Sequence, residues 1–545
     1  MVGKGRILVL AFVLGAMLLG AAPFHGVYAQ TLTIVQGTDI ESLDVHVVTS
    51  SPSYAVLDHI FETLFELSPE GDIIYRLATG FEVGPDGRTY IITLREGVTF
   101  ADGTPFNAEA VKANLERILD PETRAAYANL ISPITEINVI DDYTVELRSD
   151  EPFGPIQVHL AHSGMGMISP AVLARGNDYV AANPVGTGPF ELVEWRQGEQ
   201  VVLRKRADYW GEPAKLDSIV FRTIVDDGAR LLELEAGTAD VAIRIPPTEW
   251  QRIDANPNMK VDRTTGLRTI YLYFNVTKPP FDDARVRQAF NYAVNNDAIV
   301  TALLAGAGRP SDAPMAPAVF GYSPQTPYTY NPQRARQMLE EAGFDFSRTY
   351  TIHHPTGRYN QDALIAQAVQ QNLRAIGVQT ELVTMEWTTY LDFVRRPVED
   401  NEVEIALLGW GVATMDADYA LVEMFHSRQW PPAGFNLGFY HNPAVDAALD
   451  EGRFNADPEA RLAAYAEAQR LIWEDAPWIF AYVLQNIEAA SDAVQGWRPA
   501  ADNSESMHQV SVLGSDTLVV GMRTDNLLTF DPAMFRSRDT EAVLR

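Results

Sequence analysis

The sequence predicts an α/β protein of more than one domain, and three observations lead there. The chain runs to 545 residues, too many for one core at roughly 100 to 200 residues per domain. Strand-like and helix-like segments alternate along most of it, which is the pattern of strands joined by helical crossovers. Its 46% hydrophobic and 10% aromatic content is that of a packed chain rather than a disordered one.

The first residues carry Lys4 and Arg6, then an apolar run from Ile7 to Ala22, then small residues in "VYAQ". This order reads as a secretory signal peptide cut after Ala29. The apolar run spans sixteen residues, short of the roughly 20 that a membrane-spanning helix needs. Cysteine is absent, which excludes disulfides and a lipid anchor on a cysteine after the cut. A soluble periplasmic protein is expected. Its net charge of −30 becomes about −32 when Lys4 and Arg6 leave, and so acidic a surface argues against nucleic acid or an anionic membrane as partner.

In the first half, "LREGVTFADGTPFNAEAVKANLERILDP" (Leu94 to Pro121) predicts a strand, a turn at Asp102 and Gly103, and a helix capped by Asn107. "NPVGTGPFELVEWRQGEQVVLRKRADYW" (Asn183 to Trp210) and "RTIYLYFNVTKPPFDDARVRQAFNYAV" (Arg268 to Val294) follow, their glycines and prolines marking tight turns. In "YNPQRARQMLEEAGF", Asn331 caps a helix, Pro332 opens it and Gly343 follows its end.

The α/β order is plainest after that. "TYTIHHP" (Thr349 to Pro355) is a strand, and Leu364, Ile365, Ala368, Val369, Leu373 and Ile376 then recur at helical spacing until Gly377. "QTELVTM" is a second strand, Thr389 to Val394 a short helix and "EIALLGW" a third strand. Such crossovers make the three strands parallel, so their carboxyl ends share an edge. Arg358, Trp387, Trp410 and Asp416 stand on it, where open parallel sheets bind ligands.

The end of the chain repeats its beginning. Thr517, Leu518, Thr524 and Asp525 match Thr31, Leu32, Thr38 and Asp39. After one inserted residue, Asp531, Ser537 and Ala542–Leu544 match Asp44, Ser50 and Ala55–Leu57. A repeat of this length changes the reading of the architecture.

Taken in order, these segments, the "YNP" helix and the "LGW" strand end resemble the solute-binding proteins of bacterial peptide, nickel, opine and related ABC importers, the family 5 type. The likeness covers nearly all of Thr31 to about Val512. It implies a type II periplasmic binding protein: two α/β lobes joined by a hinge, with an extra domain inserted in the first lobe. The first lobe would combine about 31–48, 185–267 and 490–512, the extra domain about 49–184, and the second lobe about 268–489. The tail, 513–545, resembles the truncated start of a second copy and is too short to bury a core.

In peptide binders of this family an arginine after the first strand of the second lobe grips the ligand carboxylate, and "PTGRYNQD" places Arg358 there. A guanidinium suits this work because its fork offers parallel donors and stays charged. The competing reading is a salt bridge to one of many acids. The family also carries an acid three residues after the tryptophan of the "GW" strand end, to hold a peptide ammonium. Here that residue is Ala413, so either Asp416, further on, is brought in from another angle or the ligand has no free amino terminus to hold; the competing reading of Asp416 and Asp418 is a cap for the helix of "YALVEMF". Trp410, beside Gly409, offers a flat apolar wall, and Trp387 a weaker one. Tyr54 and the serines of "TSSPSY" would donate hydrogen bonds from the opposite lobe.

His159 and His162, and His353 and His354, offer imidazoles without further ligands at metal-site spacing, so no metal or other cofactor is assigned. No G-x-S-x-G, H-E-x-x-H or phosphate loop is present, and no catalytic residue is named. The function expected is a monomeric periplasmic receptor that binds a small peptide-like or other acidic solute and delivers it to an inner-membrane ABC permease. The alternatives are a periplasmic hydrolase of peptides or related solutes, and a nickel-chelate or oligosaccharide receptor on the same fold.

Overall fold

The structure, a computed structural model, describes residues 30–68, 71–497, 507 and 509–513. The expected leader over 1–29 and the repeated segment from Thr517 to Leu544 lie outside these residues. Among the described residues no helix is long and apolar enough to cross a membrane.

Among the described residues eleven strands join in one sheet. In chain order they are β1 (Thr31–Gln36), β2 (Phe190–Arg196), β3 (Gln200–Lys205), β4 (Ser218–Thr223), β5 (Val241–Ala242), β6 (Met259–Phe274), β7 (Gly308–Pro310), β8 (Thr349–Pro355), β9 (Gln379–Met385), β10 (Ile405–Gly411) and β11 (Trp478–Ser491). Across the sheet the order is β9-β8-β10-β6-β11-β5-β1-β4-β3-β2, with β7 paired to β11 off this path. Both faces are covered, because successive side chains of a strand point to opposite sides. Ile34, Tyr271 and Leu408 enter one core, while their neighbours Val35, Ile270 and Leu407 enter the other.

The three strands read as parallel are parallel: β8 runs alongside both β9 and β10. Helix α1 (Asp362–Ala375) links β8 to β9, and α2 (Trp387–Val394) links β9 to β10. Ile365, Val369 and Leu373 form the buried stripe of α1, whereas Leu364, expected on that stripe, faces outward at 44% exposure. It lies about 100° around the helix from Ile365, just off a stripe that steps by four. The helix Pro332–Glu341 starts as expected, the Asn331 side chain accepting from the Arg334 N–H, and Gly343 follows its end at φ +73°.

β6 and β11 run for 16 and 14 residues and serve both halves of the sheet. Up to Thr265, β6 pairs with Gln485–Ser491; from Thr269 it pairs with Val483 and earlier residues on one side, and with β10 on the other. The ladder is irregular between Thr265 and Thr269. Gly266 stands in that break, where a Cβ would lie 2.4 Å from the Leu484 carbonyl oxygen, so only glycine lets the two backbones pass this closely.

A separate four-stranded antiparallel sheet, Ala78–Val83, Thr89–Leu94, Thr144–Ser149 and Ile134–Asp141 in spatial order, occupies the segment between β1 and β2. The helix Ala108–Leu119 turns Ala108, Val111, Leu115 and Ile118 inward, and the Asn107 side chain caps it by accepting from the Ala110 N–H at 3.0 Å.

Candidate functional site

The site is built outward from the carboxyl end of β8. The loop after it turns through Gly357 at φ +73° and Gln361 at φ +60°, and Asp362 Oδ2 accepts the N–H groups of Arg358 (3.1 Å) and Tyr359 (3.3 Å). The Tyr359 hydroxyl accepts the Gly409 N–H at 2.9 Å, tying the loop to the end of β10. These bonds fix the backbone of Arg358, whose carbonyl also takes a donor from Arg244 at 3.2 Å.

The Arg358 side chain is only 4% exposed, and its Nε and Nη1 have no hydrogen-bond partner. Its guanidinium lies 4.9 Å from the centre of the Trp387 ring and 5.3 Å from that of Tyr359. Burial, with the neighbouring charge of Arg268, pushes its pKa down to about 10, so it stays cationic at neutral pH. A buried cation with idle donors is costly unless something anionic meets it.

That something has room. Arg358 opens on a cavity with about 900 Å³ of atom-free space, its mouth included. One part of the wall comes from Thr49, Ser51, Tyr54, Tyr127, His162 and Ser163, the rest from residues between Arg268 and Leu437. Trp410, Tyr419 and Phe435 make an aromatic wall, with ring centres 4.9–5.0 Å from Trp410. Among the described residues no aspartate or glutamate lines the cavity. His162 is held neutral, burial lowering its pKa to about 3. The arrangement suits a small solute with anionic and apolar parts.

A family described as bacterial extracellular solute-binding proteins, family 5 middle region, matches residues 72–432. The chain belongs to this family. It is 35% identical over 481 residues to the glutathione-binding protein GsiB of Salmonella typhimurium, covering 87% of this chain and 93% of that one. Among solved structures, DppA from Helicobacter pylori in complex with the peptide STSA matches with a TM-score of 0.82 at 28% identity, over 89% of this chain and 98% of that one. The binding protein AgaA in complex with agropinic acid, from A. tumefacien R10, matches with a TM-score of 0.80 at 25% identity, over 88% and 98%. The fold is that of the type II periplasmic binding proteins, as the resemblance implied.

On this family 5 fold the cavity gathers five of the six residues singled out in sequence: Arg358, Trp387, Trp410, Gly409 and Tyr54. A Cβ at Gly409 would lie 2.4 Å from Ile270 Cδ1, so a side chain there would have to push that methyl aside. Tyr54 contributes its ring; its hydroxyl donates to the Val48 carbonyl at 2.8 Å, so it does not serve as the donor expected. Of the "TSSPSY" serines, Ser51 reaches the cavity and accepts from Arg268 at 2.9 Å.

Asp416 is the correction. It does not line the cavity: Arg461 Nη2 donates to its Oδ1 at 2.7 Å, and the Asp418 N–H reaches the same oxygen at 2.9 Å. Asp418 is likewise buried, 3.3 Å from His159 Nε2 and 3.8 Å from Arg453 Nη1. Two buried arginines absorb these carboxylates, and Ala413 faces the cavity unassisted. His353 and His354 are buried, and among the described residues no group of three His, Asp or Glu side chains could hold a metal ion.

Arg268 and Arg395 line the cavity too and went unnoticed in the sequence. Arg268 opens the "RTIYLYF" strand and comes to the site only because β6 registers Arg268 opposite Gly411 of β10. Arg395 follows α2 directly, eight positions after Trp387, a spacing that helical periodicity would have placed near the same face.

Proposed function

We propose that this family 5 protein is a periplasmic receptor that captures a small acidic, peptide-like solute and hands it to an inner-membrane ABC permease. The reading rests on one observation above the rest, the buried Arg358 guanidinium with two donors unpartnered at the cavity wall. A carboxylate fits it by charge and by the parallel geometry of the fork. The names of the relatives agree in chemistry, being a glutathione-binding protein and binding proteins holding a peptide and agropinic acid. Glutathione is therefore the first solute to try.

Capture would proceed by closure of two lobes about a hinge. In this proposal one lobe combines about 31–48, 185–267 and 490–512 and the other is about 268–489, with 49–184 as the inserted domain. The break at Gly266 between the halves of β6 supports the hinge position. Ligand favours the closed state because only there do wall residues from both parts of the chain touch it. The receptor works as a monomer and carries out no chemistry on its cargo.

Native mass spectrometry of the protein purified from its host tests the reading by weighing what is retained. An acidic peptide-like mass, released intact, is expected. A neutral sugar, or cleavage of added peptides by the pure protein, contradicts it.

A further inference from the structure

The charge inside the cavity is opposite to that of the protein and larger than one carboxylate would neutralise. Arg268, Arg358 and Arg395 all line it, in a chain whose net charge is −30. Arg268 gives its donors to neutral oxygens, the Gly409 carbonyl at 3.1 Å and the Ser51 hydroxyl at 2.9 Å. Arg358 leaves Nε and Nη1 idle, and Arg395 lies over the Phe435 ring at 4.9 Å. Glu41, a carboxylate whose charge bears on Arg358, is an exposed side chain already accepting the Thr49 N–H at 2.6 Å. Like charges gathered around one cavity raise one another's energy, as Arg268 does for Arg358, and a single anion relieves only part of that.

Two of the cations are associated with opposite ends of α2. Trp387, which opens α2, lies beneath Arg358, while Arg395 follows the last residue of that helix. Eight residues at about 1.5 Å each separate the two ends of the helix by about 12 Å. An extended peptide of about three residues, at roughly 3.3 to 3.6 Å each, covers that distance.

We propose that the cavity takes a ligand of about tripeptide length with an anionic group at each end, one held by Arg358 with Arg268 and the other by Arg395. Arg395 is then a specificity-determining residue. The inference rests on the acidic-solute reading above and narrows it from an acid to a diacid.

Calorimetric titration with glutathione, a tripeptide bearing two carboxylates, and with its two single esters, one blocked at each end, provides the test. Wild-type protein is expected to bind each ester at least tenfold more weakly than the diacid. In Arg395→Gln one ester should bind as tightly as the diacid does, since the charge it lacks no longer has a partner, and Arg395→Lys should restore the discrimination. Arg395 is half-exposed, so melting of both variants should match wild type and separate loss of specificity from loss of fold. If an ester binds wild type as tightly as the diacid, or if Arg395→Gln weakens all three ligands equally, the diacid inference is wrong while the acidic-solute reading stands. If none of the three binds, the acidic-peptide reading itself falls, and this inference with it.

Discussion

Arg461 Nη2 meets Asp416 Oδ1 at 2.7 Å with both side chains less than a tenth exposed, and that pair removes from the ligand site an aspartate that sequence spacing had put there. Burial pushes the Asp416 pKa up while Arg461 pulls it down. Asp416→Ala would leave the Arg461 guanidinium buried without its counter-charge, a loss worth about 3 to 5 kcal/mol. Urea denaturation should show a destabilisation of that order, while calorimetric affinity for an acidic ligand stays within twofold of wild type. An affinity loss matching the stability loss would return Asp416 to the site.

Glu423 predicts a pH dependence. It is fully buried, its Oε1 has no partner, and the Asn129 amide bonds its Oε2. Burial raises its pKa from 4.5 to about 8, with Asp418 adding and Arg453 and Asn129 opposing. The folded state thus prefers the protonated acid. The contribution is complete below the unfolded value and is lost as pH rises toward and through about 8. Melting temperature should therefore fall between pH 5 and 8 by more in wild type than in Glu423→Gln, where this slope is absent. Parallel curves for the two proteins would show that Glu423 is ionised in the fold.

Gly266 tests the break in β6. A Cβ there would lie 2.4 Å from the Leu484 carbonyl oxygen, and backbone cannot swing aside as a side chain can. Gly266→Ala should cost about 1 to 3 kcal/mol. Thermal denaturation measures it, and an unchanged midpoint would mean that the two long strands have slack at their crossing.

Tyr54 separates ring from hydroxyl. Its OH donates to Val48 O at 2.8 Å, so Tyr54→Phe should lower stability by about 1 kcal/mol and leave affinity unchanged. A selective loss of affinity in Tyr54→Phe would mean that the hydroxyl turns to the ligand.

The architecture was legible where local pattern and topology agree. The β8-α1-β9-α2-β10 run could be read because a helical crossover forces parallel strands, and that order alone brought Arg358, Trp387 and Trp410 to one edge. Spacing failed where a partner far away in sequence decides. Asp416 looked free because Arg461 lies 45 residues downstream, and Arg268 looked like an ordinary strand residue because its opposition to Gly411 depends on an antiparallel register. Leu364 shows the finer limit: a one-residue step around α1 separates its buried stripe from solvent.

The central claim is that Arg358 waits in the cavity wall for an anion, and isothermal titration of wild type and Arg358→Ala with glutathione tests it most directly. Loss of a charge-assisted hydrogen bond predicts that Arg358→Ala binds more weakly by about 1.5 to 3 kcal/mol, with its fold intact by circular dichroism. Equal affinity in the two proteins would contradict the account.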